Sequence, residues 1–154
     1  MLPCRRGPCC DSLCCLSVDR RQLQKLSIVR LAEAKTLLRA KHWDGAYYLA
    51  GYSVECGLKA CIAKQTRRFD FPDKKNVDAS HTHDLKALVR IANLEPSRLQ
   101  AAKSDPSFRD NWDLVQQWSE QSRYRRYEIA DATALVKAVA DAPHGVLRWI
   151  KQHW

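Results

Sequence analysis

The sequence predicts an all-α domain, on three observations. Residues 44–64, DGAYYLAGYSVECGLKACIAK, carry Ala50, Val54, Leu58 and Ile62 at every fourth position, the repeat of one helix face. Helical spacing returns before and after this stretch, in residues 23–40 and in several shorter segments beyond residue 82. No segment shows the sustained apolar–polar alternation of a half-buried strand, and there is no internal repeat.

The stretch 44–64 is the organising element. Opposite its apolar stripe, Tyr48, Tyr52, Glu55 and Lys59 form a second, polar stripe at i, i+4, i+7 and i+11. Glu55 stands four residues before Lys59, the favourable order for a helix ion pair. Ala46, Ala50, Gly51, Gly57, Ala60 and Ala63 fill the space between the stripes. Glycine inside a helix costs stability, so Gly51 and Gly57 mark close approach by neighbouring elements. A helix with small residues all round and both faces occupied belongs in the middle of a bundle.

In chain order, residues 1–22 differ from the rest, with two prolines, paired cysteines and no periodicity. The CC-x3-CC spacing fits no common zinc site. A signal peptide would need a longer apolar run and a small-residue cleavage site. Thioacylation beside the arginines is a third possibility. The expectation is a disordered Cys-rich extension, translated from upstream of the natural start, ahead of a helical domain over 23–154. From residue 23 to 40 a helix should bury Ile28, Leu31, Ala34 and Leu38 and expose Arg30, Glu33, Lys35 and Arg39. A short connection follows, with Asp44 placed to cap the next helix, giving an antiparallel hairpin.

After Lys64 a polar stretch of nearly twenty residues carries Pro72 and four basic side chains, longer than a connection requires. Thr82 is expected to cap a short helix with Asp84 in its first turn and Leu85, Leu88, Val89 and Ala92 inside, stopped at Asn93. Glu95-Pro96 and Asp105-Pro106 open two more helices, the second running through Trp112 and Val115 towards Trp118. Residues 119–128, SEQSRYRRYE, break the pattern with three arginines and two tyrosines. A last helix starts near Ala130, is interrupted at Pro143 and Gly145, and resumes from Val146 to the terminal turns.

At 154 residues the chain is one domain, long enough to bury about two thirds of its unfolded surface. A formal charge of +9, from 26 Lys and Arg against 17 Asp and Glu, favours polyanionic partners and equally fits a solvated basic surface. No apolar run reaches the ~20 residues of a membrane helix, because Glu55 and Lys59 interrupt the best candidate. Five of the seven cysteines lie in the first fifteen residues; Cys56 and Cys61 sit in the central helix, pointing in different directions. Reduced, buried thiols are expected there, as in a cytoplasmic protein.

The order of these motifs is similar to that of the HEPN family (higher eukaryotes and prokaryotes nucleotide-binding domain). AYYLAGYSVECGLKACIAK, a polar loop, HTHDLKALV, WSEQSRY and a closing GVLRWIKQHW carry the resemblance, which covers residues 23–154. It implies an up-and-down bundle of four to five helices plus short helices, usually a homodimer. It also implies a toxin–antitoxin or defence setting, often beside a nucleotidyltransferase. Some members are metal-independent endoribonucleases, whereas others bind nucleotides or act as scaffolds. By position, Tyr48, Tyr52, Glu55 and Lys59 match the family's second-helix motif, His83 and Asp84 its "HDL" motif, and Arg123 and Tyr124 the Arg-Tyr pair before the last helix. With Arg126 of the same basic cluster, this set suits a phosphate with an adjoining base, through charged hydrogen bonds and stacking. A buried polar network pinning the helices, with Glu55 satisfied by Lys59 or Arg123, fits the same residues.

The family's ribonuclease signature, Arg-x4-6-His, has one match, Arg148 and His153. In that chemistry the histidine handles protons on the 2′-hydroxyl or leaving oxygen, and the arginine stabilises the phosphate charge. Five residues along a helix set the two side chains about 140° apart, so a groove shared across a dimer would have to unite them. An arginine of the 123–126 cluster is the other candidate for that role. No cofactor or metal is expected, since nothing at ligand spacing completes a site around His81 and His83. Three readings therefore stand: a nucleotide- or RNA-binding module, an endoribonuclease, and a scaffold. Whichever holds, Leu58→Ala should cost ~2–5 kcal/mol in denaturant unfolding. A negligible loss would put the apolar stripe at the surface.

Overall fold

The computed structural model describes residues 18–65 and 81–154. Most of the predicted Cys-rich extension and most of the predicted long loop lie outside them. The described residues form α1 (Arg20–Arg39), α2 (Trp43–Gln65), α3 (Leu85–Ile91), α4 (Glu95–Ser104), α5 (Pro106–Val115), a 3-10 turn η1 (Glu120–Tyr124), α6 (Ile129–Ala140) and α7 (Val146–Lys151). Among them there is no strand, and the all-α prediction holds. No helix among the described residues is long and apolar enough to cross a membrane.

α1 begins three residues ahead of the expected Leu23, inside the segment read as extension. A capping box sets its start: Asp19 accepts from the Gln22 amide while Gln22 accepts from the Asp19 amide, both at 2.8 Å. Lys41, at φ 64°, ends the helix in a left-handed turn, with the His42 amide reaching back to Leu37 and the Lys41 amide to Leu38. The chain then reverses into α2, as the hairpin prediction required. The buried face of α1 holds Ala34, with Leu31 and Leu38 packed against the core as predicted, and departs from the prediction at Ile28. Ile28 is 49% exposed, whereas its neighbour Ser27 is fully buried and donates a 2.7 Å hydrogen bond to the Ser53 carbonyl. Small side chains at Ser27 and Ala34 let α1 lie close against α2, and Ile28 is rotated off that line.

α2 is the centre of the bundle, touching α1, α3, α6, α7 and η1. Ala46, Ala50, Val54, Leu58 and Ala60 have no exposed surface, and Ile62 is partly buried. Gly51 lies under Trp118, where a Cβ would fall 2.2–2.4 Å from three indole atoms. At Gly57 a Cβ would meet Ile150 at 3.0 Å and Ser27 at 3.3 Å. The glycines thus admit an indole on one side and α1 with α7 on the other.

The later elements stop and start largely where punctuation residues predicted. Asn93, at φ 54°, ends α3; Pro96 and Pro106 occupy the first turns of α4 and α5; Asp105 caps α5 by accepting from the Phe108 amide at 3.1 Å. Two caps were misassigned. Asp84, rather than Thr82, caps α3 by accepting from the Lys86 amide, while Thr82 accepts from the Asp84 amide. Asp44 lies within the first turn of α2 and binds the loop before α6. Phe108, Trp112 and Trp149 close the far end of the core, with Trp149 at 5.5 and 6.3 Å from the other two rings. Cys56 and Cys61 are buried free thiols.

Gly51→Ala tests the close approach. Alanine gains ~1 kcal/mol of helix propensity, but displacing the Trp118 ring should outweigh it, for a net loss of ~1–3 kcal/mol. Unfolding should show that loss together with altered tryptophan fluorescence, while Gly57→Ala stays within ~1 kcal/mol of the parent. Equal stability of parent and Gly51→Ala would contradict the packing of Trp118 on α2.

Candidate functional site

The polar face of α2 converges on Glu55. This side chain is 1% exposed, although a carboxylate is costly to bury unless it is paired and hydrogen-bonded. Its Oε1 accepts from Lys59 Nζ at 2.8 Å, one turn along the same helix, and meets His83 Nδ1 at 2.9 Å. Its Oε2 is buried and has no hydrogen-bond partner among the described residues. Tyr48 and Tyr52 continue the face, their rings 6.0 Å apart, and Tyr48 lies 5.9 Å from Trp118. Burial, then the neighbouring Cys56 and Glu55, raises the Tyr52 hydroxyl above its ordinary pKa. Burial and Glu55 push the Cys56 thiol up to about 11, so it is a protonated packing group near neutral pH.

His83 reaches Glu55 because each residue of His83-Asp84-Leu85 has a separate task. Asp84, with extended backbone, caps α3, and Leu85 enters the core with no exposed surface. That fixes the start of α3 and turns the preceding histidine back onto α2. The other ring nitrogen, Nε2, lies 2.9 Å from Glu120 Oε2 at the start of η1. One imidazole therefore joins two carboxylates from different elements.

Beyond Glu120 the chain is held at several points while its basic side chains face outward. Ser122 is buried and accepts from the Tyr127 hydroxyl at 3.0 Å. The Tyr127 ring stacks on Tyr47 at 3.7 Å, its amide donates to Asp44 Oδ1 at 2.7 Å, and Arg126 donates to Asp44 Oδ2 at 3.0 Å. Burial and Tyr127 push the Tyr47 hydroxyl up to about 12, so the Tyr47 ring stays uncharged. Between these anchors, Tyr124 is 76% exposed and the Arg123 guanidinium lies 5.0 Å over its ring. An open cleft of about 460 Å³ flanks the Asp44 clasp, lined by residues including Lys41, His42, Arg126 and Glu128.

The structure thus gathers Glu55, Lys59 and His83 in one contact cluster, with Tyr48 and Tyr52 along the same face. Arg123 and Tyr124 join it only through Glu120, three residues before the arginine. Arg123 is not a partner of Glu55, and Asp84 serves as a helix cap. Arg126 sits at the opposite end of the turn, on Asp44. Glu120 and Tyr127 escaped the sequence reading, and Asp44 was read only as a helix cap. Their partners lie far away in the chain, and no local periodicity signals such pairs.

Arg148 and His153 turn to different neighbours. Arg148 donates to the Ala142 carbonyl at 2.8 Å, bracing the turn that leads into α7. His153 Nε2 lies 3.2 Å from Ser97 Oγ on α4, and its ring meets Trp149 edge-on at 5.0 Å. Burial, then nearby Lys64, lowers the His153 pKa and favours the neutral ring. Trp149 and Ile150 between them are buried, and Trp154 packs against the core. Among the described residues, no group of three or more His, Cys, Asp or Glu side chains could hold a metal ion.

No curated protein and no solved structure matches the chain. The family model for the HEPN domain matches residues 27–153, from the middle of α1 to the last turn. That span takes in α2, His83-Asp84-Leu85 and the Arg123-Tyr124 turn, and the chain belongs to the HEPN domain family.

Proposed function

We propose that this HEPN-domain protein is a nucleotide- or RNA-binding module whose contact surface is the 123–126 turn. The observation that carries the reading is Tyr124, largely exposed with Arg123 over its ring, on a turn anchored at Glu120, Ser122 and Tyr127. A large exposed aromatic on an anchored turn offers a base a stacking surface without an ordering cost. Arg123, Arg125 and Arg126 supply the charge for adjoining phosphates. Glu55, Lys59 and His83 hold the turn from beneath, with Tyr48 and Tyr52 beside them. In this reading the protein works in a bacterial toxin–antitoxin or defence-type system as a homodimer, paired with a nucleotidyltransferase-fold protein.

Binding of a labelled single-stranded RNA, followed by fluorescence anisotropy, tests it. Affinity should fall steeply with salt, as expected when arginines displace condensed counterions. Tyr124→Ala should weaken binding by ~1–3 kcal/mol, the usual value of one stacked base. Arg123→Ala should weaken binding and flatten the salt slope. Unchanged binding in both variants would remove the turn from the interface.

A second reading, metal-independent endoribonuclease activity through Arg148 and His153, is favoured by the depressed pKa of His153. A neutral imidazole at physiological pH is the form able to accept a proton from a 2′-hydroxyl. With Arg148 and His153 turned to separate neighbours, the reading requires the opposing residue to come from a second copy. RNA cleavage in EDTA that disappears in His153→Ala would support it. Cleavage that survives the substitution would reject this pair.

A further inference from the structure

We propose that His83 is a proton-operated latch that ties η1 to α2, so that binding by the 123–126 turn is set by pH. The inference rests on the binding reading above for its consequence, but on geometry alone for the latch.

Both nitrogens of His83 face carboxylate oxygens at 2.9 Å, Glu55 Oε1 on α2 and Glu120 Oε2 on η1. An ionised carboxylate only accepts hydrogen bonds, and a neutral imidazole has one N–H to give. Both contacts are attractive together only when the ring carries two protons. After one proton leaves, a nitrogen lone pair faces a carboxylate oxygen at hydrogen-bond distance, and that contact becomes repulsive.

Burial decides which contact opens. The Glu55 side chain is 2% exposed, sits on the central helix and shares its Oε1 with Lys59. The Glu120 side chain is 32% exposed and begins a short surface turn, so it can swing into water and be hydrated there. Glu120 is therefore the contact that releases. Among the described residues, the charged groups recorded against the ring are Glu55 from α2 and Glu120 from η1; the elements that carry these contacts also bear Lys59 on α2, Arg123 on η1, His81 and Asp84 on the ring's own segment, and Lys86 on α3. Asp84 is committed to the Lys86 amide and Lys59 to Glu55, and among the described residues the two carboxylates are the charged groups bonded to the ring.

Release of Glu120 leaves the front of η1 held through Ser122, which accepts from the Tyr127 hydroxyl, while the Asp44 and Tyr127 anchors still hold the rear. Arg123 and Tyr124 lie between these two points. With the latch closed they are presented in a fixed arrangement; with it open, a ligand must first order them.

Hydrogen exchange of the full chain, corrected for the intrinsic pH dependence of exchange, tests this from about pH 5 to about 8, the range in which imidazoles titrate. Amides of residues 120–126 should lose at least about tenfold in protection as pH rises, the effect of one charge-assisted hydrogen bond. Affinity for a labelled single-stranded RNA should fall in step. In Glu120→Gln the amide can accept from a charged ring or donate to a neutral one. Protection and affinity should then stay at the parent's low-pH level throughout, whereas Glu120→Ala should be open at every pH. Protection that does not change with pH in the parent, or a Glu120→Gln variant that keeps the parent's pH profile, overturns the latch. Protection that shifts as described without RNA binding at any pH upholds the latch and overturns the binding reading instead.

Discussion

The arrangement of this molecule depends on a carboxylate inside it. Glu55 is 1% exposed on the helix that touches α1, α3, α6, α7 and η1, and an unpaired charge at that position would cost several kcal/mol. Lys59 partners it from the same helix and fixes nothing beyond it. His83 partners it from 28 residues away, and so ties the start of α3 to α2. Through its second nitrogen the same ring reaches Glu120 and brings η1 into register. One buried oxygen thus sets the relation of three elements, a specificity that apolar packing alone supplies poorly.

That carboxylate can be central only because the helix around it is thin. Glycine at positions 51 and 57 admits the Trp118 ring on one side and α1 with α7 on the other. Ser27, Ala34, Ala46 and Ala50 are fully buried for the same reason. With neighbours this close, Trp118 packs beside Tyr48 and His83 reaches Glu55, so the polar stripe is buried at Glu55 and half-buried at Tyr48, Tyr52 and Lys59. Close packing and a buried polar network are two sides of one geometry: the first excludes water from Glu55, and the second supplies what water would have given.

Much of this was legible because it is local. The two stripes of α2, the proline and asparagine punctuation, and the order of motifs depend on spacings of a few residues, which helix geometry turns directly into faces and ends. His83-Asp84-Leu85 was recognised as a unit, though its division of labour was not, since Thr82 and Asp84 are equally good caps on paper. Ile28 misled because bulk and apolarity were taken to mark the buried face. Where two helices approach closely the smallest residues mark it, here Ser27 and Ala34. Asp44 misled in a similar way: an acidic residue at a helix start reads as a cap, but its oxygens go to Arg126 and Tyr127, more than eighty residues on. Glu120 gave no local signal at all.

The two arginine-bearing regions differ in a way that bears on function. Arg148 is spent on a backbone carbonyl and His153 on Ser97 and Trp149, so each already has a task within the fold. Using them on a substrate would break those contacts unless a second chain supplied compensation. Around η1 the fold instead invests in the backbone: Ser122 is buried, Tyr127 is stacked and hydrogen-bonded, and Glu120 is tethered. Tyr124 and Arg123 are left outward with little but each other for company. A fixed main chain bearing lightly engaged aromatic and cationic side chains is what pre-organised recognition requires, because the ordering cost is met on folding and the contacts are kept for the ligand. That asymmetry, more than the count of positive charges, favours the turn over the C-terminal helix as the contact surface.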